Sequence, residues 1–181
     1  MSRIGNNPIT IPEKVDVNYD NKGKITVKGP LGTLERTLNF DSIKMKIKDN
    51  SISFERENES REAKSTHGLF RTLVSNMIEG VTKGYKKTLM LKGVGYKVQV
   101  SGKNLKLNIG FSHPIDVEIP EGIKVEVPKA NVIDISGSDK EQVGSFSARI
   151  RQLRPVEPYH AYGIKYSDEH VRRKEVKQTG K

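Results

Sequence analysis

The sequence contains its own echo. Ile25, Val27 and Leu31 recur 80 residues later as Leu105, Leu107 and Phe111, and Ile43, Met45 and Ile47 recur as Ile123, Val125 and Val127. In both sets the apolar residues alternate with Lys, Thr or Glu, the period-two pattern of strands with one buried face. A repeat of this length obliges each copy to close a hydrophobic core of its own. The predicted fold is therefore α+β with two duplicated domains, 1–82 and 83–181, each a small antiparallel sheet covered by one helix. In a chain of 181 residues, a domain of that size buries only about 60 to 65% of its unfolded surface, so each core is thin.

Local signals fill in the frame. The first half reads KVDVNY, KITVKG, SIKMKIK and SISFER, with a hairpin turn predicted at Asp49-Asn50. A helix follows from about Ser60, with Ala63, Phe70, Leu73, Val74 and Met77 at steps of three and four and a stop at Gly80. The second half repeats the strands as TLMLKGVGYKVQV, LKLNIGF, IDVEIPEGIKVEV and VIDIS. Its helix opens on Ser138-Asp139-Lys140-Glu141, which has the form of a capping box. Val143, Phe146, Ile150 and Leu153 make its apolar stripe, and Pro155 ends it. The two copies join near Thr82 to Tyr85.

Charge divides the copies. The net charge is +10 with 30% charged residues. Residues 1 to 82 hold 13 Lys and Arg against 11 Asp and Glu, and residues 83 to 181 hold 19 against 11, so +8 of the +10 lies in the second copy. A basic field of this kind attracts phosphate backbones or anionic lipid. No apolar run approaches the ~20 residues of a spanning helix, and no basic helix carries a broad aromatic or leucine face, which disfavours a membrane. Cysteine is absent, which removes disulfides and thiolate zinc sites. The opening MSRIGNNPITIPEKV carries no secretory or organellar leader pattern, so a soluble protein of a reducing, cytoplasmic compartment is expected.

Catalytic chemistry finds little support. His67, His113, His160 and His170 are not paired at i, i+4, and His67 has no acid or nucleophile beside it in sequence. Asp168, Glu169 and His170 are consecutive and point in different directions, as on a solvated surface. Gly93-Val94-Gly95 lacks the third glycine of a dinucleotide loop and reads as a bend or bulge in a strand. The lysines Lys24, Lys28, Lys44, Lys46, Lys48 and Lys106 alternate with buried positions and form the wet face of the sheets. No catalytic residue, metal or cofactor is predicted.

The remaining cations cluster. Arg149, Arg151 and Arg154 lie off the apolar stripe of the second helix and are predicted to reach outward, where guanidinium groups can fork onto phosphate oxygens. Tyr159, Tyr162 and Tyr166 interleave with Lys165 and offer flat faces beside a cation. Beyond Ile164 the only aliphatic residues are Val171 and Val176, whereas Lys165, Arg172, Arg173, Lys174, Lys177 and Lys181 face only Asp168, Glu169 and Glu175. Such a tail cannot offset its ordering entropy alone, so it is expected to be mobile until it meets something anionic. A solvated arginine or a tyrosine covering the core edge would explain any one of these residues; the cluster as a whole favours a phosphate-binding surface.

Seven segments in order carry a family resemblance: MSRIGNNPITIP, KGPLGTL at 28–34, HGLFRTLVSNMIEGV at 67–81, LKGVGYKVQVSG at 91–102, GFSHP at 110–114, EPY with GIKY, and RRKE. Over essentially its whole length the chain resembles bacterial-type large-subunit ribosomal protein six, whose architecture is also an internal duplication. The resemblance implies a structural, non-enzymatic protein that binds large-subunit ribosomal RNA through its C-terminal domain and tail. Its implied surroundings are the sarcin-ricin loop, neighbouring ribosomal proteins at the stalk base, and the translational GTPases that dock there. The expected rRNA-binding residues are Arg149, Arg151, Arg154, Tyr159, Lys165, Tyr166, Arg172, Arg173, Lys174, Lys177 and Lys181. The chain departs from the family's EPYKGKGI at His160, Ala161 and Tyr162, and Val176 stands where glycine is common, so phosphate contacts at 160 and 162 do not carry over. Tyr162 is placed either to stack on a base or to pack on protein. The same surface would also suit a free RNA chaperone or translational repressor.

Overall fold

The computed structural model describes residues 3–20, 23–38, 43–48 and 50–175; Asp49, Val176, Lys177 and Lys181 lie outside the described residues. The chain divides into two compact units, Met1–Gly84 with Ser138–Lys140, and Tyr85–Gly137 with Glu141–Lys181. Both are α+β, with antiparallel strands and one long helix apiece.

In the first unit the strands are β1 (Ile9–Thr10), β2 (Asp16–Tyr19), β3 (Lys24–Gly29), β4 (Gly32–Thr37), β5 (Ile43–Lys48) and β6 (Ser51–Arg56), followed by α1 (Arg61–Thr82). They form two three-stranded sheets, β2-β3-β4 and β1-β6-β5. The β5–β6 turn is two residues long, with Lys48 opposite Ser51 and Asn50 at φ 66°, as a tight hairpin requires. Alternation buries Ile25 and Val27 of β3 and Ile52 and Phe54 of β6 under the helix. Helix α1 starts where the Ser60 side chain accepts the Ala63 amide at 3.1 Å. It does not stop at Gly80, which is buried inside it, but runs to Thr82. The chain then leaves through Gly84 at φ 74°, whose amide closes onto the Gly80 carbonyl at 3.1 Å. The left-handed turn, rather than the first glycine, ends the helix.

His67 is part of this core. Its Nε2–H donates to the Phe54 carbonyl at 3.0 Å, tying the helix to β6, and Gly5 lies so close to the ring that any side chain there would collide with it.

The second unit contains β7 (Tyr85–Lys92), β8 (Lys97–Ser101), β9 (Asn104–Asn108), β10 (Ile115–Glu118), β11 (Ile123–Lys129), β12 (Val132–Gly137), α2 (Lys140–Leu153) and β13 (Gly163–Tyr166). Its sheets run β10-β9-β8 and β11-β12-β7-β13. The repeat is visible strand by strand: Leu105 and Leu107 occupy central strand β9 as Ile25 and Val27 occupy β3, and β7-β12-β11 stands where β1-β6-β5 does. Even the buried polar residue of each helix recurs, His67 in α1 and Ser147 in α2. Three residues depart from the expected buried set, one of them Ile47, which is exposed near the end of edge strand β5. Leu31 and Phe111 are both exposed, because each sits in the turn after a central strand and not within it.

Strands β1, β4 and β13 carry no signal strong enough to be predicted, being short or polar. Of these β13 matters most, because it has no counterpart in the first unit and lies within the stretch expected to be mobile. Ile164 is fully buried in the core formed by Leu89, Leu91, Ile133, Ile135, Phe146 and Ile150.

Truncating Ile150 to Ala should destabilise the second unit by about 2 to 5 kcal/mol through the cavity left behind. Arg149→Ala, on the exposed face one residue away, should change stability by less than about 0.5 kcal/mol. Equilibrium urea denaturation of the two variants checks the contrast.

Candidate nucleic-acid interface

Strand pairing sets the geometry. In the β13–β7 ladder Gly163 opposes Lys92, Ile164 opposes Leu91, Lys165 opposes Met90 and Tyr166 opposes Leu89, and the Ser167 amide extends it to the Thr88 carbonyl at 3.0 Å. Because Leu89, Leu91 and Ile164 face the core, strand alternation puts Lys92, Met90 and Lys165 together on the opposite face.

The loop entering β13 is held at many points. Pro155 bridges to Ile164, whose amide donates to the Arg154 carbonyl at 2.9 Å, and the Glu157 amide donates to the Tyr162 carbonyl at 3.0 Å. Glu157 Oε1 accepts the His160 amide at 2.7 Å, and that bond leads the causes that hold the Glu157 carboxyl below its ordinary range. Ala161 takes φ 58°, and Gly163 at φ 138° lies so close to the Pro155 carbonyl and Val156 that only glycine fits. On this loop the rings of His160 and Tyr162 stack at 5.5 Å and 21°. Lys92 Nζ donates to the His160 carbonyl at 3.1 Å and lies 5.8 Å from the Tyr162 ring centre.

Beyond β13 the tail folds back. Arg151 and Glu169 make a forked pair, with Nε donating to Oε2 at 2.8 Å and the terminal guanidinium nitrogen to Oε1. Glu169 Oε2 also accepts the Tyr166 amide at 3.1 Å, and the Lys174 amide donates to the Pro158 carbonyl at 2.9 Å. The Arg151 hydrogen bond holds the Glu169 carboxyl below its ordinary range and raises the guanidinium correspondingly.

These contacts correct three expectations. Arg151 does not reach outward, since its fork is spent on Glu169. Glu169 is not a freely solvated residue of the Asp168-Glu169-His170 run. Tyr166 does not present a free face: it is half-buried, with Lys87 Nζ 5.4 Å and the Arg151 guanidinium 5.8 Å from its ring centre and its hydroxyl 3.4 Å from Ser147 Oγ. The physical reason is common to all three. Once β13 is recruited to the sheet, the tail is delivered to the C-terminal end of α2, where an acid meets an arginine at hydrogen-bonding distance. As far as Lys174, the tail is therefore attached to its own domain.

Other predicted residues remain outward. Arg149, Arg154, Tyr159, Arg172, Arg173 and Lys174 are exposed, and none of these cations forms an ion pair with a described residue. Arg154 lies 5.3 Å over the ring of Phe111. Half-buried Lys165 shares an open cleft with Lys92, Ala161, Glu169 and Arg173. Sequence patterning missed Lys92, because its neighbourhood depends on a pairing with a strand 71 positions away.

Several strand lysines of both units are paired with acids, in the second Lys86 with Asp134 at 2.7 Å and Lys124 with Glu126 at 2.6 Å. In the first, Lys24 pairs with Glu35 at 2.6 Å, Lys44 with Glu57 at 2.9 Å, and Lys46 with Glu55 at 2.6 Å. Lys64 and Arg56 share Glu59. Among the described residues no three His, Asp or Glu gather as a metal site, and no helix is long and apolar enough to cross a membrane.

The model of the family described as Ribosomal protein L6 matches residues 11–84 and 92–167. The chain belongs to this family. It is 53% identical over 181 residues, the whole of both chains, to the large ribosomal subunit protein uL6 of Finegoldia magna. It is 52% identical over 177 residues to uL6 of Caldicellulosiruptor bescii, covering 98% of this chain and 96% of that one. With uL6 of Acaryochloris marina it shares 50% over 181 residues, all of this chain and 99% of the other. The two stretches matched by the L6 family model span most of the two units' strands and both helices, and they end at residue 167, before the Arg172-Arg173-Lys174 run.

The Arg151–Glu169 pair gives a signed pH dependence. Because the Glu169 pKa is lowered on folding, the pair contributes fully above the ordinary glutamate value and is lost as pH falls through the lowered one. The Arg151 Nε–H resonance, followed by NMR, should keep its paired position at neutral pH and leave it only below about pH 4.5. In Glu169→Gln it should sit at the unpaired position throughout.

Proposed function

We propose that this chain is a structural component of the large ribosomal subunit in the cytoplasm, holding large-subunit rRNA with the β13 edge of its second unit. The carrying observation is a segregation of charge. Carboxylates pair with Lys24, Lys44 and Lys46 on the strands of the first unit and with Lys86 and Lys124 on those of the second, whereas Arg149, Arg154, Arg172, Arg173 and Lys174, on α2 and the tail, are exposed without an acidic partner among the described residues. Full-length similarity to proteins named as large-subunit components supports the reading.

The rRNA-binding set is Arg149, Arg154, Tyr159, Lys165, Arg172, Arg173 and Lys174, with Lys177 and Lys181 continuing it outside the described residues. Arg151 and Tyr166 serve by fixing this set in place. The partners that follow from the reading are rRNA near the sarcin-ricin loop, ribosomal proteins of the stalk base, and translational GTPases that dock beside them. The first unit, whose residues 1 to 82 carry only +2 of the net +10, braces that docking region.

Tagged chain expressed in growing cells should sediment stoichiometrically with large subunits through a moderate-salt wash. Recovery only in the soluble fraction would overturn the reading. On purified rRNA, Arg172→Ala and Arg173→Ala should each weaken binding and lower the slope of log K against log salt by about 1. Deleting 172–181 should weaken attachment further while leaving the thermal midpoint nearly unchanged, since the described part of that segment adds one backbone hydrogen bond and no core residue.

A further inference from the structure

We infer that the 157–163 loop and the adjoining cleft form a seat for one unstacked nucleotide of the rRNA, its base on the His160–Tyr162 rings and its phosphate in the cleft. This rests on the rRNA-binding reading above and names what that surface takes at one place.

The two halves of the seat adjoin. Lys92 and Ala161 line the cleft, and the same Lys92 holds the His160 carbonyl and lies near the Tyr162 ring. The cleft has a volume of about 540 Å³, within the range of roughly 300 to 1,000 Å³ usual for small-ligand sites. Lys92, Lys165 and Arg173 face into it against a single carboxylate, Glu169, which Arg151 already neutralises. That leaves a cationic hollow suited to a phosphate group.

The ring pair is suited to a base. Tyr162 is 41% exposed and the His160 side chain is 68% exposed, so the stack stands in solvent and is not filling core. A two-ring stack adds a third flat layer with little further cost, and aromatic faces accept any base that has left its helix. The loop is also preorganised. Glu157 fixes the His160 and Tyr162 backbones, and Ala161 holds a left-handed turn that a β-carbon disfavours. An alanine kept in that conformation, with no glycine to relieve it, indicates that the surrounding contacts determine the loop before a ligand arrives.

The seat differs in kind from the phosphate contacts along the rest of the edge. Stacking is indifferent to salt, while phosphate binding releases counterions. The test uses the full chain and a transcript of the large-subunit rRNA. His160→Ala/Tyr162→Ala should weaken binding by about 5- to 150-fold without changing the salt slope. Base-reactivity footprinting should show one nucleotide protected by the parent and exposed with the double variant, the other protections being unchanged.

Retention of full affinity and of every protection by the double variant would overturn the seat and leave rRNA binding intact. Failure of the parent chain to bind the transcript would overturn both. Far-UV circular dichroism checks that the double variant is folded. Should it not be, the footprint of His160→Ala alone decides, since that change leaves the backbone bond to Glu157 in place. Adenosine monophosphate bound at micromolar concentration would make this a site for a free nucleotide and overturn the assignment to rRNA.

Discussion

The pairing of β13 with β7 is the constraint on which the functional half of this protein depends. Four residues add a strand to the sheet, and one of them, Ile164, is fully buried in the core. Everything basic that follows is positioned by this short ladder. Lys165 is turned outward beside Lys92 because Ile164 is turned inward. Glu169 reaches Arg151 because the chain leaves β13 at the end of α2. The 155–162 loop is short and closed on itself because α2 must end at Leu153 and the chain must re-enter the sheet at Gly163, against the Pro155 carbonyl.

The duplication explains how one fold came to present two kinds of surface. Both units bury the same pattern on their central strands and place a single polar residue in the same register of the helix. What differs is at the rim. Lys24, Lys44 and Lys46 of the first unit stand beside glutamates of the next strand or just past its end, as Lys86 and Lys124 of the second stand beside Asp134 and Glu126. Such pairs contribute little to stability, but they cancel the field that an anionic partner would sense. The second unit has gained a strand and a tail, and the cations of these additions largely lack such partners. A core is conserved in shape by packing, while rim charge is free to diverge because hardly any folding energy depends on it.

How far the sequence disclosed this varies with the physics of each part. The repeat, the helices and the strands of the two meanders were legible because burial imposes a period on Ile25, Val27, Leu105, Leu107 and their neighbours. The partition of each unit's strands into two sheets was not, since alternation tells which face is buried and nothing about which strand lies alongside. Strand β13 was hidden by its composition: Gly-Ile-Lys-Tyr followed by a basic run resembles a solvated tail, and only the long-range partner β7 makes it a strand. Arg151 and Glu169 were misjudged for the same reason. Their separation of 18 residues carries no local signal, and the pair exists only because β13 brings the acid back. Arg149, Arg154 and the 172–174 run were read from helical phase and local composition, which tertiary pairing did not alter.

The surrender of Arg151 to Glu169 has a consequence for binding. A tail that must be ordered by its partner loses part of the interaction energy to that ordering, on the order of 0.5 to 1.5 kcal/mol for each long side chain immobilised and more for the backbone. By tying residues 166 to 174 down with a strand, a forked ion pair and the Lys174 amide, the protein moves much of that cost into folding, where the core of the second unit offsets it. One potential phosphate contact is given up, at Arg151, and the backbone of Arg172, Arg173 and Lys174 is presented beside the 158–162 loop before any RNA arrives. Since several exposed cations gain from a reduced backbone cost and only one is consumed, the exchange favours binding. It also favours specificity, because a fixed array of charges fits one arrangement of phosphates better than others, which a mobile basic tail cannot do.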